Sequence, residues 1–351
     1  MLISFGVFLL ALAASLALTP LAACLARQWG WLDHPDQKLK KHVQPVPYGG
    51  GVAVFVSFLL ALVAFKFWEG STLVGVVGVT AGTSLIVLLG LVDDRFQLSP
   101  AVKFAGQTLA ALTLYACNMR LQFIEPPLLS LLLSLLWVVG VTNALNLIDI
   151  MDGLAAGTAA IAAAVFFMIA AQNGRYNDMY ILAALGGAAL GFLPYNFPRA
   201  RVYLGDTGAL MLGFVLSSIA MGEAYTRVNP LAVLTPLLIL GVPIFDTLFI
   251  MFLRHRRGVS MFRGSPDHLA LRMVKTGLTR QQTVLLLWGA SLALGGLAYA
   301  GMRLPLTWSL FLYLGVAAAA LFIAERMGSF SMESHAPSRE SKKAGHKEKK
   351  A

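Results

Sequence analysis

The stretch "LLSLLLSLLWVVGVTNALNLIDIMDG", residues 128–153, sets two opposing demands side by side. Residues 128–145 carry no charge and are mostly leucine and valine, close to the about 20 apolar residues that cross a bilayer as one helix. The end of this run then carries Asn143, Asn146, Asp149 and Asp152 at three-residue intervals. A carboxylate beside hydrocarbon is costly and marks either a functional site or the edge of the membrane. A three-residue step turns an α-helix by about −60°. Asn146, Asp149 and Asp152 would therefore cover roughly a third of the circumference and point into one cleft, and a tighter 3₁₀ turn would align all four. Helix-end caps account for one or two of these residues but not for four in register, so the ladder reads as a site. Gly153 then permits a close approach or a change of direction.

The same reading extends to the whole chain. Of 351 residues, 58% are hydrophobic and 13% charged, about half the charged share of an average soluble protein. Eleven apolar segments qualify as spans: 2–26, 49–67, 73–91, 102–117, 128–145, 153–171, 179–193, 204–220, 231–253, 283–301 and 305–324. The fold class expected is an all-α polytopic membrane protein. Residues 1–326 form one transmembrane domain, with site loops at 27–48, 92–103, 146–153, 194–206 and 254–282. Residues 327–351, which include "SRESKKAGHKEKK", have the composition of a basic, disordered tail.

Charge orients the bundle. With the N-terminus outside, 22 of the 27 Lys and Arg fall on the cytoplasmic side and 5 outside, as the positive-inside rule requires. The expected topology is a multi-pass inner-membrane protein with its N-terminus outside and its C-terminus in the cytoplasm. The net charge of +10 then describes loops beside anionic lipid, not a nucleic-acid surface. Cys24 and Cys117 sit in apolar segments as small hydrophobes. "LAAC" at 21–24 resembles a lipoprotein processing site, but nothing basic precedes it and Arg27 follows, which suits a retained first helix. Of the acids, Glu69, Glu125, Asp178 and Glu223 read as solvated residues on the outer side. Those at the opposite face gather at the ends of apolar helices. A secondary transporter would place its ionisable groups near the bilayer midplane; this pattern favours chemistry at the membrane surface.

Four further clusters belong to that face. "GLVDDRFQLSPAVKFAGQ" (90–107) sets Asp93 beside Asp94, with Lys103 opening the next segment. Adjacent carboxylates repel unless a cation or proton relieves them, which fits Mg²⁺ or a cationic partner as well as an ordinary charged loop. "YLGDTGALMLGF" (203–214) places Asp206 between Gly205 and Gly208, as a helix N-cap or at a close approach to a ligand. "VPIFDTLFIMFLRHRRG" (242–258) puts Asp246 about 12 Å along a helix from Arg254. The basic run Arg254, His255, Arg256, Arg257 serves as a topological anchor or, with Asp267 and His268, as a pyrophosphate site.

Taken together, "KKHVQPVPYGGG", "LVDDRFQLSPAVKFAGQ", "NALNLIDIMDGLAAG", "YLGDTGALMLG" and "PIFDT" followed by "RHRRG" and "SPDHLALR" resemble the polyprenyl-phosphate N-acetylhexosamine-1-phosphate transferases. The resemblance covers residues 27 to 280 and is nearer to the GlcNAc-type branch than to the phospho-MurNAc-pentapeptide translocases. It implies transfer of N-acetylhexosamine-1-phosphate, foremost GlcNAc-1-phosphate, from a UDP-sugar to polyprenyl (undecaprenyl) phosphate. UMP is released in this first membrane step of cell-envelope polysaccharide synthesis. A MurNAc-pentapeptide-type or other UDP-HexNAc donor is the alternative, and a transporter or non-catalytic envelope-assembly protein is the rival class.

The resemblance also implies roles. Mg²⁺, with Mn²⁺ as the alternative, falls to Asp94 and Asp206. Asp93 would deprotonate or orient the lipid phosphate, Lys103 would draw it in, and Asp94 shares in the catalysis. Asn146, Asp149 and Asp152 would order the nucleotide and the cleft. Asp246, Arg254, Arg256 and His268 would meet donor phosphate or sugar, and His42 matches a family substrate position. Homodimers occur in the family. This chain departs from the family pattern at Ile150, where glycine is common, and at Ala270, Leu271 and Arg272, where the related branch has further histidines.

Overall fold

The computed structural model describes residues 1–33, 45–69, 74–222, 225–258 and 267–329. His42 and the tail from residue 330 lie outside the described residues. Helices fall on all eleven apolar segments. They are α1 (Leu2–Gln28), α2 (Gly50–Glu69), α3 (Val74–Phe96), α4 (Pro100–Ala116), α5 (Pro127–Leu147), α6 (Leu154–Asn173), α7 (Tyr176–Asn196) and α8 (Gly205–Gly222). There follow a 3₁₀ turn (Pro230–Leu234), α9 (Thr235–Ile239), α10 (Gly241–Arg256), a short α11 (Leu269–Lys275), α12 (Arg280–Gly301) and α13 (Leu306–Gly328). The last helix thus runs two residues past the boundary expected at 326.

The protein is a multi-pass membrane protein. Among the described residues, eight helices are long and apolar enough to cross a bilayer, or nine if the pair broken by an 80° bend between Ile239 and Gly241 counts as one span. α4 is 17 residues long, and Gly50–Phe65 of the 20-residue α2 is a further apolar stretch. By length and composition, eight or nine of the eleven expected spans qualify among the described residues.

Burial sorts the helices. α8 is 83% buried along its apolar window and α13 only 11%. A helix that is apolar all round belongs inside a bundle or against lipid, so α6, α7 and α8 make the centre. α13 presents Trp308, Phe311, Leu314 and Phe322 outward as a lipid-facing perimeter. Between membrane helices the attraction comes from close packing, which small residues permit. At Gly191 of α7 a Cβ would lie 2.5 Å from the Leu12 carbonyl oxygen of α1. At Gly90 of α3 it would lie 2.6 Å from the Thr207 nitrogen of α8. The second contact seats the end of α3 on the start of α8.

A two-stranded antiparallel ribbon, β1 (Leu32–Asp33) and β2 (Val46–Pro47), follows α1. The segment entering α8 joins it: Tyr203 N donates to Pro47 O at 3.0 Å, while Gly50 N and Gly51 N donate to Tyr203 O and Leu204 O at 3.0 and 2.9 Å. These bonds satisfy extended backbone that neither helix can serve.

At the far end of the sequence, Arg272 of α11 is wholly buried. It donates to the Asp267 carboxylate at 2.6 Å, to the Asp267 carbonyl at 3.1 Å and to Met327 O of α13 at 2.7 Å. Arg257 shares the same carboxylate at 3.0 Å. Asp178, expected at the solvated surface, is instead buried and paired with Arg175. Burial of that carboxylate is tolerated because its cation comes with it, three residues away on the same turn.

Candidate active site

Asp93 and Asp94 occupy the last turn of α3 and diverge. Asp94 Oδ1 accepts from Asp206 N at 2.7 Å, and its Oδ2 accepts from Thr207 N at 3.1 Å and Thr207 Oγ1 at 2.6 Å. It therefore caps α8 from another helix, where orphan N–H groups and the positive end of the dipole favour a carboxylate. Gly205 makes the approach feasible. Its φ is +71°, and a Cβ there would lie 2.6 Å from Asp94 Oδ2.

Asp93 turns the other way and is buried. Its Oδ1 accepts from Leu98 N at 2.8 Å, which closes the turn leading into α4. Its Oδ2 is in contact with Lys103 Nζ. The same ammonium donates to Asp206 Oδ2 at 2.7 Å, and Asp206 Oδ1 accepts from Asn146 Nδ2 at 2.9 Å. Four helices, α3, α4, α5 and α8, thus deliver Asp93, Lys103, Asn146 and Asp206 to one point.

The polar ladder divides where α5 stops, at Leu147. Asn143 pairs with Gln107 of α4 and Asn146 with Asp206, while Asp149 and Asp152 leave the helix and line a cleft. Asp152 Oδ2 accepts from Ala200 N at 3.0 Å. Gly153, at φ +80°, donates its N–H to Asn196 Oδ1 at 2.6 Å, and Asn196 Nδ2 donates to Val202 O at 3.0 Å. The helix end therefore replaces a single polar face with two.

The cleft holds about 1220 Å³. Asp33, Asp149, Asp152 and Asp206 line it, as do Arg27, Arg199, Arg201 and Arg280. It also includes Ile150, Tyr203 and the first residues of α12, Thr279 to Gln281. Asp206 belongs both to this wall and to the lysine cluster, so the cluster reaches the cleft through it. Burial, followed by the charges of Asp206, Asp94 and Asp152, pushes the Asp149 carboxyl well above the usual carboxylate range. Burial and then the nearby Asp152 and Asp33 raise the Tyr203 phenol to about 12. Tyr48, whose hydroxyl donates to Asp33 at 3.2 Å, is raised first by burial and then by that carboxylate.

The remaining expected residues stand apart. Asp246 and His268 are buried and joined at 2.8 Å, with Leu269 N donating to Asp246 at 2.6 Å. Arg254 is buried as well, and exposed Arg256 lies over the ring of Phe252. None of these four lines the 1220 Å³ cleft. Arg272 and Ala270, which stand where the related branch carries further histidines, face the interior. Sequence reading used the arginines at 27, 199, 201 and 280 only to orient the bundle; Arg199 and Arg201 in "PRAR" and Arg280 in "LTRQ" carried no motif that marked them as site residues.

The fit to a divalent ion can be judged from the donors. Among the described residues no group of three His, Cys, Asp or Glu forms a cage. Mg²⁺ needs none, since it takes one or two carboxylates and completes its shell with water and phosphate oxygens. A carboxylate offers about four lone-pair sites. Asp94 accepts three hydrogen bonds and Asp206 two from Lys103 and Asn146, so acceptor capacity remains on both. The oxygen-only donor set fits Mg²⁺.

Residues 76–223 match the family described as glycosyl transferase family 4. A Bacillus subtilis (strain 168) protein named a probable undecaprenyl-phosphate N-acetylglucosaminyl 1-phosphate transferase is 32% identical over 290 residues, 80% of each chain. The chain belongs to glycosyl transferase family 4. A decaprenyl-phosphate N-acetylglucosaminephosphotransferase of Mycolicibacterium smegmatis is 32% identical to this family member over 77% of this chain and 76% of its own. An undecaprenyl-phosphate alpha-N-acetylglucosaminyl 1-phosphate transferase of Escherichia coli (strain K12) is 26% identical over 75% and 74%. The matched family segment contains Asp93, Lys103, Asn146, Asp149, Asp152 and Asp206, the residues of the lysine cluster and the cleft, and Asp94, which caps α8.

Proposed function

We propose that the chain transfers GlcNAc-1-phosphate from UDP-GlcNAc to a polyprenyl phosphate, releasing UMP and leaving a polyprenyl-pyrophosphate-sugar. The observation that carries this reading is the Lys103 ammonium held between Asp93 and Asp206 at the edge of a cleft large enough for a nucleotide sugar. The names of the relatives, all polyprenyl-phosphate N-acetylglucosamine-phosphate transferases, support the donor sugar and the lipid acceptor.

In the reaction an oxygen of the lipid phosphate attacks the β-phosphorus of the donor. A new P–O bond forms, the bond from that phosphorus to the bridging oxygen breaks, and UMP departs with the electron pair. Such chemistry asks for alignment and charge neutralisation more than covalent help. Lys103 is the cation that meets the incoming phosphate. Asp93, hydrogen-bonded to the α3–α4 turn, orients that lysine or receives a proton from the acceptor. Asp94 and Asp206 would hold Mg²⁺, which when bound neutralises charge developing on the pyrophosphate. Asp149, Asp152 and Tyr203 shape the nucleotide end of the cleft, and the four arginines at its wall attract a dianionic donor. Asp246, joined to His268 and accepting from Leu269 N, holds the start of α11, and Arg256 lies exposed at the surface. The cleft opens to the cytoplasm, with the N-terminus outside, because that orientation puts 22 of 27 basic residues on the inner side.

The test is a panel of UDP-sugars offered to purified protein with and without polyprenyl phosphate and Mg²⁺. UMP release with UDP-GlcNAc that needs both additions is the expected result. Absence of lipid-dependent UMP from every donor would overturn the reading.

A further inference from the structure

One turn along α4 from Lys103 lies Gln107, a buried amide with no part in the transfer chemistry. It forms a reciprocal pair with Asn143 of α5: Asn143 Nδ2 donates to Gln107 Oε1 at 2.5 Å, and Gln107 Nε2 donates to Asn143 Oδ1 at 3.3 Å. Asn143 Nδ2 also donates to Val139 O, one turn back, at 2.8 Å. Residues three or four apart share a helix face, so Lys103 and Gln107 look from α4 toward Asn143 and Asn146 on α5. Asn146 holds Asp206 and Asp206 holds Lys103. The connections close a ring: Lys103, Gln107, Asn143, Asn146, Asp206 and back to Lys103.

We infer that Gln107 and Asn143 are positioning residues for the reaction, a register pin that fixes Lys103 relative to Asp206. A lysine stem is flexible, so the site of its ammonium depends on where α4 stands. Sliding α4 by one residue along α5 moves it about 1.5 Å and breaks both amide bonds. Gln107 is buried, so bulk water does not readily replace them and the broken bonds leave buried polar groups unpaired. The planar pair therefore accepts a single register, and the lysine inherits it. The inference rests on the proposed transfer only through the role given to Lys103.

Two measurements test it, one of them independent of activity. In kinetics, Gln107→Leu and Asn143→Leu should each lower kcat at least about tenfold, the scale set by small misplacements at a reacting centre, with donor KM held within about twofold. The exchange Gln107→Asn/Asn143→Gln keeps both amides and should regain most of that loss. Parental kcat in the single variants, a loss that merely follows the amount of folded protein, or no recovery on exchange would overturn the inference. For the second measurement, Lys103→Cys and Asp206→Cys are introduced after Cys24→Ala and Cys117→Ala and joined by a short thiol cross-linker. Gln107→Leu should reduce the yield and the exchange should restore it; an unchanged yield would overturn the pin. If the parent enzyme releases no lipid-dependent UMP, the reaction reading fails while the cross-linking yield still decides the pin.

Discussion

Lys103 Nζ donates to Asp206 Oδ2 at 2.7 Å across 103 residues of sequence, while its other side meets Asp93. One cation thereby holds together two carboxylates that would otherwise repel, and it does so next to the cleft. Asp206→Asn should lower lipid-dependent UMP release by about 10²-fold or more, the range seen when a charge-stabilising group is removed from a preorganised site. Lys103→Gln should have a comparable effect. Turnover near that of the parent in Asp206→Asn at ordinary Mg²⁺ would remove this residue from the proposed metal site.

Gly205 tests the capping of α8 by Asp94. Its φ of +71° and the 2.6 Å gap from a Cβ to Asp94 Oδ2 leave no room for a side chain. Gly205→Ala should cost about 1–2 kcal/mol from the left-handed backbone alone, visible as a lower thermal midpoint in detergent. Activity should fall further than stability, because the displaced group is Asp94.

Asp149 gives the ligand-free protein a pH dependence. Its folded-state pKa lies above the ordinary value near 3.9, so ionisation works against the fold. The sign follows from linkage: as pH rises from the usual carboxylate range through the raised pKa, this group's contribution to stability is lost. Thermal midpoints of the parent should decline relative to Asp149→Asn as pH increases over that interval. Parallel curves for the two proteins would show that Asp149 ionises freely.

Arg280 lines the cleft from the first turn of α12 and is exposed. Arg280→Gln should raise donor KM several-fold at low salt with kcat little changed, and added salt should narrow the difference, as expected for electrostatic attraction of an anion. A salt-independent defect would point to a contact made only in the transition state.

Arg272 anchors α11 to α13. Arg272→Met leaves the buried Asp267 carboxylate paired with Arg257 at 3.0 Å. Breaking one side of a buried pair typically costs about 3–5 kcal/mol; Arg257 should hold the loss toward the lower end. Arg272→Met/Asp267→Asn should recover part of it in thermal unfolding.

Much of this was legible in the chain itself. Hydropathy located a helix on every apolar segment, and the motifs around Asp93, Lys103, Asn146 and Asp206 identified the cluster, because helix formation and charge burial depend on residues near in sequence. The ladder from Asn143 to Asp152 shows where local reasoning stops. Its spacing suggested a common face, yet α5 ends after Leu147, so one member pins α4, one holds Asp206 and two line the cleft. Asp246, Arg254 and His268 likewise looked like ligand contacts, but packing turned them inward. The arginines at 27, 199, 201 and 280 counted toward the orientation of the bundle but lie in three different loops, so nothing local showed that they meet at one cleft.

The sequence by itself determined that this chain crosses the membrane many times and carries its ionisable groups at helix ends, since the cost of charge in hydrocarbon acts residue by residue. Only the tertiary structure decided which of those groups meet. That outcome depends on the register of α3, α4, α5 and α8 against one another, set by glycine contacts at 90 and 205 and by the Gln107–Asn143 amides, and register is a property of packed surfaces that no single segment contains.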